Sequence, residues 1–189
     1  MKKIFLDFGT HKGEGLLHFV NHKMIDKDFE VHTFEASPSL DTANKLDILQ
    51  RTVENFPQNI KFYNCAVWIE NTELVFNNRG DEAAHIEDSN LYTETFFEER
   101  GHNTVIVKAI DIAEFIDTLP NDAYIICKMD IEGSEFQIMR YLINKDCIKK
   151  IKKFYIEFHV GFTKNETDST VHEIMTEIRN LGIEVEKWI

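Results

Sequence analysis

The segment Asp7-Phe8-Gly9-Thr10-His11-Lys12-Gly13-Glu14-Gly15, directly behind the apolar run Ile4-Phe5-Leu6, constrains this chain more than any other. The run reads as a buried strand with Asp7 at its tip. The glycines read as a tight turn, and Leu16, Leu17, Phe19, Val20 and Met24 form the apolar stripe of the helix that follows. Strand, turn and helix in this order form the first unit of an α/β sheet that binds ligands at its strand ends. The spacing is D-x-G-x-x-x-G-x-G. It departs from the G-x-G-x-x-G that lets backbone approach a pyrophosphate, and a carboxylate there repels a diphosphate. The turn therefore suits a nucleoside that carries an amino acid, with Asp7 accepting from its ammonium directly or through water. Gly9 supplies the sharp bend, while Gly13 and Gly15 let backbone come close to ligand and helix.

The rest of the chain keeps the same rhythm. Strands are expected over Glu30–Glu35, Ile60–Val67, Val105–Ala109, Ala123–Met129, Phe154–Phe158 and Ile183–Trp188, with a short one at Leu74–Asn77. Helices are expected over Glu14 to Ile25, Ser39 to Phe56 (begun at Ser37-Pro38-Ser39), Asp111–Asp117, Ser134–Ile143 and Thr170–Leu181. Alternation of this kind implies one domain over residues 1–189, with a mostly parallel sheet covered by helices on both faces. Residues 78–103 break the pattern. They are polar, acidic and aromatic, with His85, Tyr92, Phe96, Phe97 and His102 among them, and read as a long loop that could close as a lid over a substrate.

Composition narrows the partners. Against 21 basic residues stand 33 acidic ones, a net charge of −12 that makes nucleic acid a poor partner. The basic stretch Lys145 to Lys153 reads as a solvated turn after a helix. Cys65, Cys127 and Cys147 form no CxxC pair and read as buried thiols of a reducing compartment. The N-terminal apolar run stops at Asp7, too short for a signal peptide, and no run approaches a membrane span. A soluble, cytoplasmic protein is the expectation.

Two strand ends complete a site. Glu35 follows Asp7 by one strand–helix–strand unit, where a carboxylate can accept from both hydroxyls of a ribose. Asp130 ends the apolar strand 123–129, and His159 ends Tyr155-Ile156-Glu157-Phe158-His159 on the neighbouring strand. A histidine beside Asp130 is a candidate general base. Glu132 is a further candidate. Glu135, in the first turn of the next helix, reads chiefly as a cap. Asp130, Glu157 and His159 could together hold a divalent ion, although metal dependence is not the favoured reading.

DFGTHKGEG, FEASPS, NCAVW, VKAIDIAEFI, KMDIEGSEFQIM and YIEFH occur in the order and spacing of the FkbM-type S-adenosylmethionine-dependent methyltransferases, which the chain resembles from Lys3 to His159. The resemblance implies a Rossmann-like class I methyltransferase sandwich and O-methyl transfer to a hydroxyl of a sugar, glycan or other small molecule. It places Asp7, Gly9, Thr10, His11 and Gly13 at the methionine part of S-adenosyl-L-methionine, Glu35 and Ala36 at the ribose, and Ala66 with Cys65 near the adenine. Asp130 lies where cofactor and acceptor meet, with His159 and Glu132 as the other catalytic candidates. Thr10-His11 stand where the family carries Ala-Asn, and Ala36 stands where proline is usual. The usual seventh strand is missing from the predicted elements, which leaves an open sheet edge through which copies could associate. A non-catalytic cofactor-binding or regulatory module on the same fold is the alternative reading.

Overall fold

The computed structural model describes residues 1–77, 85–86 and 104–188. The main sheet has six strands, β1 (Lys3–Phe8), β2 (Phe29–Phe34), β3 (Asn59–Tyr63), β8 (Tyr124–Met129), β9 (Ile151–Ile156) and β10 (Glu184–Lys187), in the order β10-β9-β8-β1-β2-β3. Every pairing in it is parallel. Among the described residues there is no seventh, antiparallel strand in this sheet.

Period-two alternation sends successive side chains to opposite faces, and both faces are apolar. On one, Phe5, Val31, Ile126 and Tyr155 pack with Leu16, Phe19 and Val20 of α1 (Glu14–Asn21) and Leu46 of α2 (Thr42–Thr52). On the other, Ile4, Leu6, Cys127, Met129 and Phe154 meet α3 (Ile112–Asp117), α4 (Glu135–Ile143) and α5 (Asp168–Asn180) through residues such as Ile116, Met139 and Ile174. Each face of the central strands β1, β2 and β8 is thus removed from water, worth roughly 1.5–3 kcal/mol per large side chain, while the edge strands β3 and β10 stay partly exposed.

A second sheet was not foreseen. It contains β4 (Ala66–Trp68), β5 (Thr72–Asn77), β6 (His85–Ile86) and β7 (Thr104–Asp111) in the order β4-β7-β5-β6. The strand expected over Ile60–Val67 is therefore two strands, broken at Asn64-Cys65, and the chain leaves one sheet for the other there. The segment expected as a strand at Val105–Ala109 pairs antiparallel with β5 and lies outside the main sheet. Trp68, Phe76, Ile86, Val107 and Ala109 join the same buried cluster as β1 and β8, so the second sheet shares a core with the first. Apart from His85–Ile86, residues 78–103, and with them the proposed lid and Tyr92, Phe96, Phe97 and His102, lie outside the described residues.

Two helices are shorter than periodicity suggested. α1 stops at Asn21, with Lys23 at φ +58 behind it. α2 begins after Asp41 because Ser37-Pro38-Ser39 serves the loop after β2 instead of capping the helix. The cysteines are free and buried, as expected. Among the described residues no helix is long and apolar enough to cross a membrane.

Candidate active site

The strand order reverses direction at β1: β2 and β3 lie to one side of it, β8, β9 and β10 to the other. In parallel sheets such a switch point opens a crevice beyond the carboxyl ends of the strands. Here the crevice is a cavity of about 520 Å³. Of the predicted site residues, Gly9, Thr10, His11, Glu35, Ala36, Ala66, Asp130, Glu132, Glu157 and His159 line it. Asp7 and Gly13 do not. Lys128, Ser134, His18, Trp188, Phe76 and Ile86 also line it and were not predicted.

The turn after β1 is held by its neighbours. Gly9 and Thr10 donate their backbone N–H groups to Phe34 O at 3.0 and 3.1 Å, and the Thr10 hydroxyl donates to Asp7 O at 3.1 Å. Gly9 has φ +78, and a Cβ there would stand 1.7 Å from Asp130 O. The glycine is required because the turn after β1 lies directly on the turn after β8. Gly13, also left-handed, faces Leu46 and Leu49 of α2. A side chain at this position would press on α2.

Asp7 has a charged partner inside the protein. Its carboxylate is fully buried and lies 3.5 Å from the ammonium of Lys128, itself only 3% exposed. Lys128 Nζ also donates to Gly9 O at 2.6 Å and approaches Asp130 Oδ2 at 3.2 Å. The protein's own ammonium thus occupies the place that sequence reasoning gave to a ligand's. Burial lifts the Asp7 carboxyl to about 6, against the opposing charge of Lys128. Lysine after three apolar residues in KMD would have been a signal, since a charged side chain in a buried strand needs a partner.

Glu35 lies at the end of β2 with both carboxylate oxygens engaged by backbone. Its Oε2 accepts the His11 N–H at 2.8 Å and its Oε1 the Ser37 N–H at 2.7 Å. Each oxygen keeps a further lone pair, and the carboxylate lines the cavity at the end of β2. Burial raises its pKa, and these two backbone bonds oppose the rise. The His11 carbonyl accepts from the Thr42 hydroxyl, which fixes the turn to α2. His11 Nδ1 pairs with Glu14 at 3.1 Å, and its Nε2 is buried without a partner.

At the β8 and β9 end, four acids surround one imidazole. Glu135 is fully buried and accepts the N–H groups of Ile131 at 2.8 Å and Gly133 at 2.9 Å. Its Oε1 also takes the Nδ1 proton of His159 at 2.9 Å. The capping role read from sequence was therefore incomplete: Glu135 also orients His159. Nε2 then faces Glu132 Oε2 at 3.7 Å, Glu157 Oε1 at 3.8 Å and Asp130 Oδ1 at 3.9 Å. Burial of the ring lowers its pKa, but the hydrogen bond and charge of Glu135, with Glu132 and Asp130, outweigh burial and lift it to about 9. With Nδ1 held by Glu135, Nε2 is the ring atom that faces the acids of the cavity.

The chain as a whole is similar to known proteins. The family model described as "Methyltransferase FkbM domain" matches residues 7–185. A search of curated proteins found no match. Among solved structures, the crystal structure of methyltransferase FkbM from Methylobacillus flagellatus KT is similar in fold, with a TM-score of 0.55 at 21% identity over 93% of this chain and 37% of that one. The present chain thus spans little more than a third of that protein's length.

Proposed function

The chain belongs to the FkbM methyltransferase family, and from that premise we propose that it transfers a methyl group from S-adenosyl-L-methionine to a hydroxyl of a sugar, glycan or other small molecule. The observation that carries this reading is Glu35. A carboxylate pinned by two backbone N–H groups and still open to the cavity is built to accept from a vicinal diol such as a ribose. His11 Nε2, buried without a partner in the same wall, offers a second polar contact that a ligand can satisfy.

The residues at the strand ends fit such a cofactor. Glu35 and Ala36 take the ribose, Cys65 and Ala66 the adenine edge, and the Gly9–His11 turn with Asp130 the amino-acid part. When bound, this cofactor supplies a methyl group made electrophilic by its sulfonium. The chain's own task is to hold an acceptor oxygen in line and keep water out. Asp130 lines the same cavity as Glu132, Glu157 and His159, and its Oδ1 lies 3.9 Å from His159 Nε2. An acceptor hydroxyl there meets carboxylates that can accept its proton, while His159, anchored by Glu135, holds them in place.

Calorimetric titration of S-adenosyl-L-methionine into the wild type and Glu35→Ala tests the assignment. The variant is expected to bind at least about tenfold more weakly, the loss of two hydrogen bonds to a charged acceptor. Equal affinity would remove the ribose assignment. Transfer of a labelled methyl group to a panel of hydroxylated acceptors tests the chemistry. Tight binding with no product on any acceptor would favour the non-catalytic module.

A further inference from the structure

The far end of the cavity has a feature that hydrogen bonding does not explain. Three carboxylates point at His159 Nε2 from 3.7 to 3.9 Å, too far for a hydrogen bond to any of them. One ligand atom each from Asp130, Glu132 and His159 lie within 4.8 Å of one another. Around an ion with bonds of about 2.1 Å, neighbouring ligand atoms stand roughly 3.0 Å apart and opposite ones roughly 4.2 Å. The separations of His159 Nε2 from Glu132 Oε2 and Asp130 Oδ1, 3.7 and 3.9 Å, fall between those two values.

We propose that Asp130, Glu132 and His159 bind a divalent cation of the Mn²⁺ or Mg²⁺ kind, and that this ion seats the acceptor oxygen. The second half rests on the methyltransferase reading. Two independent observations support the site. Glu135 is fully buried and accepts a hydrogen bond from His159 Nδ1, which aims Nε2 at the acids, where a bound ion would displace any proton it carries. A carboxylate behind a histidine is the arrangement that fixes tautomer and ring orientation in metal centres. Ser134 is 3% exposed, lines the same cavity, and its hydroxyl has no hydrogen-bond partner. A buried hydroxyl in that state needs a ligand or a water held by one. The donor set of one imidazole and two carboxylates suits hard or borderline divalent ions and not soft Cu(I). An ion here would also offset carboxylates that otherwise repel one another.

The test uses the full chain, stripped with EDTA and desalted, then titrated with Mn²⁺ while free ion is followed by electron paramagnetic resonance. One Mn²⁺ per chain is expected, with nitrogen modulation from one imidazole in the pulsed spectrum. Glu132→Gln and His159→Gln should each weaken binding at least about tenfold, and His159→Gln should remove the nitrogen signal. Glu73→Gln, on the exposed side of β5, should change nothing. If His159→Gln does not fold by circular dichroism, Glu132→Gln decides alone. No saturable binding, or binding untouched by these substitutions, overturns the proposal. Cofactor affinity measured in EDTA separates the two readings. Cofactor binding without Mn²⁺ binding removes only the metal, and Mn²⁺ binding without cofactor binding removes the methyltransferase role.

Discussion

Glu135→Gln is the most informative single substitution, because one buried carboxylate ties together the β8 turn and His159. Glutamine keeps the shape and replaces one acceptor oxygen with an NH₂ group. If its oxygen stays with Ile131 and His159, the NH₂ faces the Gly133 N–H, donor against donor, where the carboxylate accepted at 2.9 Å. A lost hydrogen bond to a buried charged acceptor costs about 1.5–3 kcal/mol. The second cost depends on pH. His159 titrates at about 9 in the folded protein against an ordinary 6.5. Its raised value stabilises the fold fully below pH 6.5, and that contribution fades as pH rises through 9. The interval corresponds to about 3 kcal/mol, and Glu135 is the foremost of the groups that raise it. Removing its charge should forfeit about 2 kcal/mol at pH 6 and almost none at pH 9.5. Urea unfolding in EDTA should therefore show a loss of about 3.5–5 kcal/mol at pH 6 and about 1.5–3 kcal/mol at pH 9.5, out of a typical total of about 5–15. Histidine titration by nuclear magnetic resonance should show the His159 pKa falling. A variant within about 0.5 kcal/mol of wild type at pH 6 would falsify the anchoring role. An equal loss at both pH values would refute the linkage to His159.

Gly9→Ala places a methyl group against the Asp130 carbonyl and should cost about 3 kcal/mol or more in chemical denaturation. Gly182→Ala, at φ +79 with open space around it, should cost only about 1 kcal/mol, and similar losses at both sites would show that the clash is unimportant. Asp7 has its pKa raised from 3.8 to about 6, so its contribution to stability is full below pH 3.8 and lost as pH rises through 6. In Asp7→Asn that slope, of order 2–3 kcal/mol, should vanish, and unfolding curves at pH 4.5 and 7.5 for both proteins would reveal an unchanged slope if the assignment is wrong. Burial pushes the Cys127 thiol well above its usual range and those of Cys65 and Cys147 to about 11. Alkylation at pH 8 should reach them only after unfolding, and rapid labelling of native protein would contradict this.

The parts of the fold that sequence reveals are those set by local pattern. β1 and β8 are mostly apolar runs buried on both faces, β2 interleaves Phe29, Val31 and Phe34 with polar residues, and their ends locate Gly9, Asp130 and Glu35 without any knowledge of tertiary structure. Strand order then brings His159 beside Asp130. What pattern does not encode is pairing. Ile60–Val67 is apolar enough for one strand, yet the break at Asn64-Cys65 depends on β4 finding β7 some forty residues later. Register and partner are long-range facts that a two-residue period cannot carry. The same limit hid Lys128, whose meaning comes from Asp7 on the neighbouring strand. It also hid the use of the basic stretch: Lys150 donates to the carbonyls of Ile116, Asp117 and Leu119 at the end of α3, and Lys153 pairs with Glu186. Those lysines read as a solvated turn because their acceptors are distant in sequence.

The internal ion pair of Lys128 with Asp7 and Asp130 has a thermodynamic consequence. A binding site whose carboxylates await a ligand's ammonium is frustrated until the ligand arrives, and its protein is most stable only when loaded. Here a counter-ion is built into β8, so Asp7 has a charged partner from the moment the sheet forms. The empty protein should therefore fold on its own. Ligands should add stability only by mass action, about 2.7 kcal/mol at a hundredfold excess over the dissociation constant, without rescuing an unfolded state.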